Sequence, residues 1–179
     1  MEDAAKHILK RISDTLEDSQ STEINELINA ILSAKKVFVY GVGRSGIVAR
    51  AFSIRLVQLG LKVFYIGETI TPIVEEDDLV IIISNTGETM SAVQTANIVR
   101  RLGAKVTAIT SKKQSKLAHA SNIIIYVNVQ RNEKDKELAP LGTVFEDTAL
   151  ILLDGMICEL MKKLGETESE MRARHAIWV

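Results

Sequence analysis

Cysteine occurs once in the 179 residues, as Cys158. That excludes an internal disulfide. A lone thiol in an apolar stretch, with no partner spaced for metal or redox chemistry, reads as a buried core residue rather than a nucleophile. Proline is confined to Pro72 and Pro140, so no Pro-rich linker divides the chain. Apolar runs stop at about five residues, as in Leu79–Ile83 and Ala149–Leu153, whereas a membrane-spanning helix needs about 20. Neither sign of charge dominates. The net charge is −1 and Lys and Arg form no long run, which argues against nucleic acid or an anionic membrane as the main partner. Met1–Lys10 is charged and lacks the apolar core of a secretory signal, so the expected location is the cytoplasm.

What is present is an ordinary globular composition, 46% apolar and 25% charged, enough for a single domain over 1–179 with a sizeable core. Helices are expected over about 2–34. Ala5, Ile8, Leu9, Ile12 and Leu16 recur at helical spacing, and Ser21 or Thr22 can cap a second helix carrying Leu27, Ile28 and Ile31. From about 36 to 128 short β-branched runs alternate with helical stretches. Strands are expected at Val37–Tyr40, Leu61–Ile66, Leu79–Ile83, Val106–Thr110 and Ile123–Val127, with helices from about Ser45 to Leu59 and Glu88 to Leu102. Ser111 and Gln114 suggest a capping box for a further short helix. Continuous aliphatic runs mean strands buried on both faces, and the alternation predicts a doubly wound, three-layer αβα sandwich with a parallel sheet. Residues 129–139 are polar and read as a surface loop. C-terminal helices are expected over about 143–176, the long one apolar almost all round and so deeply buried, in part against another subunit. Thr167 and Glu170 make a capping box for the last short helix.

In such a sheet ligands bind where loops leave the carboxyl ends of strands. Gly41-Val42-Gly43-Arg44-Ser45-Gly46 is one such loop. Its glycines and the helix N-terminus behind them suit an anion. The string also fits the dinucleotide pattern G-x-G-x-x-G, with Glu68 at the distance of a ribose contact. A tight turn capped by Ser45 is the plainer account. Ser84-Asn85-Thr86-Gly87-Glu88-Thr89 is the other loop. Its hydroxyls, amide and glycine can wrap a phosphate monoester, or Ser84 or Thr86 can simply cap the helix. The pairing of two such loops after neighbouring strand candidates favours function. In Pro140-Leu141-Gly142-Thr143-Val144-Phe145-Glu146, position alone favours a structural capping box of Thr143 with Glu146. His7, His119 and His175 read by position alone as structural or surface residues.

These loops, with Arg174-His175 near the end and Gly67-Glu68-Thr69 ahead of Thr71-Pro72, resemble the sugar isomerase (SIS) domain family over nearly the whole chain. Within it they resemble the 6-phospho-3-hexuloisomerase branch. Related isomerases often carry a second Ser or Gly where Asn85 and Thr86 stand. The resemblance implies a flavodoxin-like five-stranded core, a homotetramer with sites near subunit interfaces, and no metal or organic cofactor. It implies interconversion of 3-hexulose 6-phosphate and fructose 6-phosphate, in formaldehyde fixation by the ribulose monophosphate pathway or in pentose phosphate formation.

On that basis the phosphate is expected among Ser45, Ser84, Thr86, Thr89 and backbone N–H groups, with Asn85, Gly87 and Glu88 completing the substrate-binding loop. Moving a carbonyl between C3 and C2 passes through a cis-enediolate, and one carboxylate, Glu146, can remove and return the proton. His175, from its own or a neighbouring subunit, is expected to shuttle the hydroxyl proton, and Arg44 to stabilise the enediolate charge. The alternatives are a non-catalytic sugar-phosphate sensor on the same fold, another SIS aldose–ketose phosphate isomerase, and a nucleotide-binding module using the first loop alone.

Overall fold

A computed structural model describes residues 1–17 and 21–176. Helices α1 (Glu2–Glu17) and α2 (Ser21–Ser33) precede strand β1 (Val37–Gly41), helix α3 (Gly43–Gln58) and strand β2 (Val63–Tyr65). Then follow β3 (Leu79–Ile83), α4 (Met90–Arg101), β4 (Lys105–Thr110), the one-turn α5 (Lys116–His119) and β5 (Ile123–Tyr126). The chain finishes with α6 (Asp135–Leu138), α7 (Thr143–Leu164) and α8 (Glu168–Ala173). The Ser21 side chain, an expected cap, lies outside the described residues, and Thr22 is already inside α2.

All five strands are parallel and ordered β2-β1-β3-β4-β5. This is the flavodoxin-like three-layer arrangement. Alternate residues of each strand feed opposite cores, which is why β3 is aliphatic throughout. Leu79, Ile81 and Ile83 pack with Leu27, Ile31, Phe52, Phe145 and Leu153 from α2, α3 and α7. Val80 and Ile82 pack with Ala92, Ala96 and Leu117 from α4 and α5.

Several expectations are corrected. Residues 129–139 are not loop throughout. Asp135 opens α6 and accepts bonds from His7 Nε2 at 2.7 Å and from Arg11 Nε, while the buried Arg11 also donates to the Gln130 carbonyl. A buried cation needs such partners, and they pin the segment to α1. Ser111 does not cap the next helix. Ser115 does, accepting from the Ala118 N–H at 3.2 Å. Cys158 is exposed rather than buried. It shares an outward face of α7 with Ile151, Asp154 and Gly155, so within one chain α7 buries one side. The capping box of Thr167 and Glu170 forms as expected.

Candidate active site

Gly41 of β1 and Ile83 of β3 stand opposite each other in paired strands. The chain leaves β1 toward β2 and leaves β3 toward β4, on opposite sides. The two expected loops therefore stand together at the sheet's switch point, where a crevice opens in folds of this kind.

The loop after β1 is sealed. A Cβ on Gly46 would lie 2.6 Å from the Gly41 carbonyl oxygen and 2.8 Å from the Tyr65 hydroxyl. That hydroxyl donates to the same carbonyl at 2.6 Å. Helix α3 starts after Val42 with no side-chain cap. Ser45 is thus not a cap. It is buried, and its hydroxyl donates to Glu146 Oε1 at 3.4 Å.

The loop after β3 is longer and held from outside. Gly87 has φ +63, and a Cβ there would stand 2.1 Å from Ser115 Oγ. The Asn85 carbonyl accepts the Ser111 N–H at 2.9 Å and the Thr110 hydroxyl at 3.0 Å. Helix α4 begins at Met90 without a side-chain cap, so neither Ser84 nor Thr86 serves as one. Ser84 Oγ lies 3.3 Å from Thr89 Oγ1, and Thr86 Oγ1 accepts the Glu88 N–H at 3.2 Å. A cavity of about 120 Å³ is lined by Val42, Ser45, Ser84, Asn85, Thr86 and Thr89. Uncapped N–H groups of the first turn of α4 and neutral hydroxyls are chemistry that suits an anion. Glu88 turns away to α5. Its carboxylate accepts the Lys116 N–H at 3.0 Å and pairs with Lys116 Nζ, which hold it below the usual carboxylate range.

Glu146 does not form a capping box. Its N–H bonds the Gly142 carbonyl, and the Thr143 hydroxyl donates to the Pro140 carbonyl. The carboxylate instead crosses to the first loop, where Arg44 Nε donates to Oε2 at 2.5 Å and Arg44 also reaches Asp147 at 3.3 Å. Glu146 is 8% exposed. A capping bond would pair the carboxylate with a neutral N–H, whereas in the Arg44 bond both partners carry charge, and this favours the long-range partner. The bond raises the Arg44 guanidinium above its ordinary value. Leu141, wholly exposed at φ +60, makes the sharp turn into α7.

The fold therefore brings Arg44, Ser45, Ser84, Asn85, Thr86, Thr89 and Glu146 to one crevice. It does not bring His175 there within one chain. His175 lies beside Arg55, Gln58 and Met171, at the opposite end of α3 from Ser45, roughly 15 Å or more away at 1.5 Å per residue. Glu68 is also apart, paired with Arg50, whose guanidinium stacks 3.7 Å above the Tyr65 ring. Ser111 and Gly142 are site elements that sequence reasoning missed in role. Ser111 follows β4 at the carboxyl edge of the sheet, and that position was the available signal. Among the described residues no group of three or more His, Cys, Asp or Glu is placed to hold a metal, and no helix is long and apolar enough to cross a membrane.

Residues 30–154 match the SIS domain family. The chain is 39% identical to a 3-hexulose-6-phosphate isomerase of Methanocaldococcus jannaschii, over 88% of this chain and 85% of that protein. It is 35% identical to a 3-hexulose-6-phosphate isomerase of Bacillus subtilis, over 94% of each. A crystal structure of a Methanococcus jannaschii protein, for which the molecular function of 3-hexulose-6-phosphate isomerase was inferred, superposes with a TM-score of 0.85 at 36% identity. It covers 98% of this chain and 97% of that one.

Proposed function

The chain belongs to the SIS domain family, and from that premise we propose that it is a 6-phospho-3-hexuloisomerase, interconverting 3-hexulose 6-phosphate and fructose 6-phosphate. The relatives named for that reaction support the substrate. The observation that carries the chemistry is a buried carboxylate, Glu146, hydrogen-bonded to Ser45, whose residue also lines the hydroxyl-rich cavity. The C6 phosphate occupies that cavity, held by Ser45, Ser84, Thr86, Thr89 and the N–H groups at the start of α4. Gly87 shapes the loop around it. The open-chain sugar then extends toward Glu146. The carboxylate takes the C2 proton of the 3-hexulose, the C–H electron pair forms the C2–C3 double bond, and O3 becomes the anionic oxygen. After the O2 hydroxyl proton passes to O3, Glu146 returns its proton to C3 and the carbonyl stands at C2. General-base catalysis of this type contributes about 10²–10⁴-fold. Arg44 holds the carboxylate in place and adds positive charge beside the enediolate. Glu88, turned to Lys116, supports the loop from outside.

The protein is a cytoplasmic homotetramer on this reading, serving formaldehyde fixation or pentose phosphate formation, and His175 is supplied to the crevice by a neighbouring subunit. Ile47, Ile54 and Val57 form an exposed stripe along α3, and Ile70 and Ile73 are exposed after β2. Apolar surface gathered in this way marks an interface. Ile54 and Val57 also border Arg174 and Ala176, next to His175.

A coupled assay tests the reaction. 3-Hexulose 6-phosphate is generated from ribulose 5-phosphate and formaldehyde by a synthase, and fructose 6-phosphate is read through glucose-6-phosphate isomerase and dehydrogenase. Wild type without added metal is expected to turn over, and folded Glu146→Gln to lose nearly all activity. No product from folded wild type rules the reading out in favour of a sensor or another sugar-phosphate isomerase. Mixing inactive Glu146→Gln with inactive His175→Ala after subunit exchange is expected to restore activity. No recovery would place His175 outside the shared site.

A further inference from the structure

Asn85 has a backbone bonded into β4 and a side chain turned to the opposite wall of the crevice. Its carbonyl oxygen has two lone pairs, already served by the Ser111 N–H and the Thr110 hydroxyl. The Ser111 hydroxyl stands 2.9 Å from that same carbonyl oxygen and 2.7 Å from Asn85 Oδ1, and with the carbonyl already served its proton goes to the nearer Oδ1. The amide then presents Nδ2 to the crevice. The reverse orientation would set an amide oxygen against the Glu146 carboxylate, two acceptors with no proton between them. The two groups do share one gap. A Cβ on Gly142 would lie 3.1 Å from Asn85 Nδ2 and 3.1 Å from Glu146 Oε1. Gly142 has φ −94, which any residue adopts. Its lack of a side chain is thus a matter of space rather than backbone conformation.

We infer that the Asn85 amide is a catalytic hydrogen-bond donor to the oxygens of the enediolate, and that Ser111 is the positioning residue that fixes the orientation of the amide. The inference rests on the isomerase reading above. When Glu146 takes the C2 proton, negative charge develops first on O3 and, after the hydroxyl proton moves, on O2. These are adjacent oxygens of one planar unit. A fixed N–H beside the base meets that charge without reorganising, and it favours the enediolate over the ground-state carbonyl. A neutral donor also leaves the Arg44 bond to Glu146 undisturbed. A cation at this position would compete with Arg44 for the carboxylate. Asn85 therefore acts on the reacting carbons, while the hydroxyls of the same loop act on the phosphate.

The test is the coupled assay on the full-length protein, with melting temperature recorded for every variant. Asn85→Asp replaces the donor by an acceptor of the same shape and leaves the backbone bonds in place. It is expected to lower kcat by about 10²–10³-fold, the loss typical of one oxyanion donor, with KM changed less than threefold. Ser111→Ala removes only the hydroxyl bond. It is expected to lower kcat about tenfold at constant KM by letting the amide turn, a loss corresponding to about one hydrogen bond, and Ser111→Thr is expected to restore it. Active wild type with an Asn85→Asp kcat within threefold overturns the assignment of Asn85 and leaves the isomerase intact. A higher KM at unchanged kcat also overturns it, because Asn85 would then be a ground-state contact. An unchanged kcat in Ser111→Ala overturns the positioning role. Inactive wild type overturns the isomerase reading and this inference with it.

Discussion

The loops after β1 and β3 stand side by side, both carry glycine and hydroxyls, and they are built to opposite ends. The first is closed on itself, with Gly46 pressed against the Gly41 carbonyl and the Tyr65 hydroxyl. The side chains that leave it, Arg44 and Ser45, are both directed at Glu146. The second spans Ser84 to Thr89 before its helix begins, and it is braced by Thr110, Ser111 and Ser115. Its hydroxyls have no cap to make, and a cavity lies in front of them. A glycine-rich turn at a helix start is thus not by itself a place for a ligand. In the first loop the glycine is needed for the protein's own backbone, and the second loop lines a cavity.

Four experiments sharpen that contrast. Replacing Ser84 and Thr89 together by Ala is expected to raise KM about 100-fold or more, since hydrogen bonds to a charged group are worth about 1.5–3 kcal/mol each. The melting temperature should move little because neither hydroxyl caps α4. Steady-state kinetics beside a thermal melt checks this, and a lost fold with unchanged KM would mean that the open loop is structural after all. Gly142→Ala stands next. Its Cβ would stand 3.1 Å from both Asn85 Nδ2 and Glu146 Oε1 and press them apart by a few tenths of an ångström; since misplacement by 1 Å costs about 100-fold in rate, kcat should fall by about tenfold while stability holds. A fully active Gly142→Ala would show that the gap is not used.

Gly46→Ala should do the reverse. The added carbon meets backbone, and overpacking of this kind costs about 1–3 kcal/mol. Denaturant titration should show that loss, while the surviving folded enzyme keeps its KM. The smallest effect is expected far from both loops, at α8. The Thr167 hydroxyl, and after it the backbone N–H, hold the Glu170 carboxyl below its ordinary 4.5. Because the folded value is depressed, this cap contributes above the unfolded value and is lost as pH falls through the folded one. A lower protection factor at the Met171 amide, taken against the intrinsic exchange rate at each pH, is therefore expected as pH drops below about 4.5, the ordinary value of this carboxyl. Glu170→Gln should abolish that dependence without touching activity near neutrality. A change in kcat in that variant would join α8 to the crevice.

The core was the most legible part of the chain. The run Leu79–Ile83 can only be a strand covered on both faces, and the strand order agrees with the doubly wound pattern it announced. The short polar segments were less legible, because a polar side chain can take either a local or a distant partner and spacing shows only the local one. Glu146 and Thr143 match a capping box in spacing, as do Ser111 and Gln114, and neither box forms. Thr167 and Glu170 match it too, and theirs does. The difference lies in what stands opposite. Glu146 faces a guanidinium and Ser111 an Asn85 amide oxygen, whereas the cap of α8 is open to water. Cys158 misled in a related way. An apolar neighbourhood in sequence says nothing about which side of a helix meets the core, and only the packing of α7 turned that side outward.

The sequence by itself determined the alternation of buried strands and helices, and with it the edge of the sheet at which two loops would meet. Period and hydrophobicity act locally and survive without knowledge of the fold. Only the tertiary structure decided which groups face one another. It set Glu146 against Arg44 across 102 positions of chain, turned Glu88 to Lys116, and left His175 at the far end of α3. Such pairings are settled by charge, burial and space between elements distant in sequence, and no local pattern carries that information.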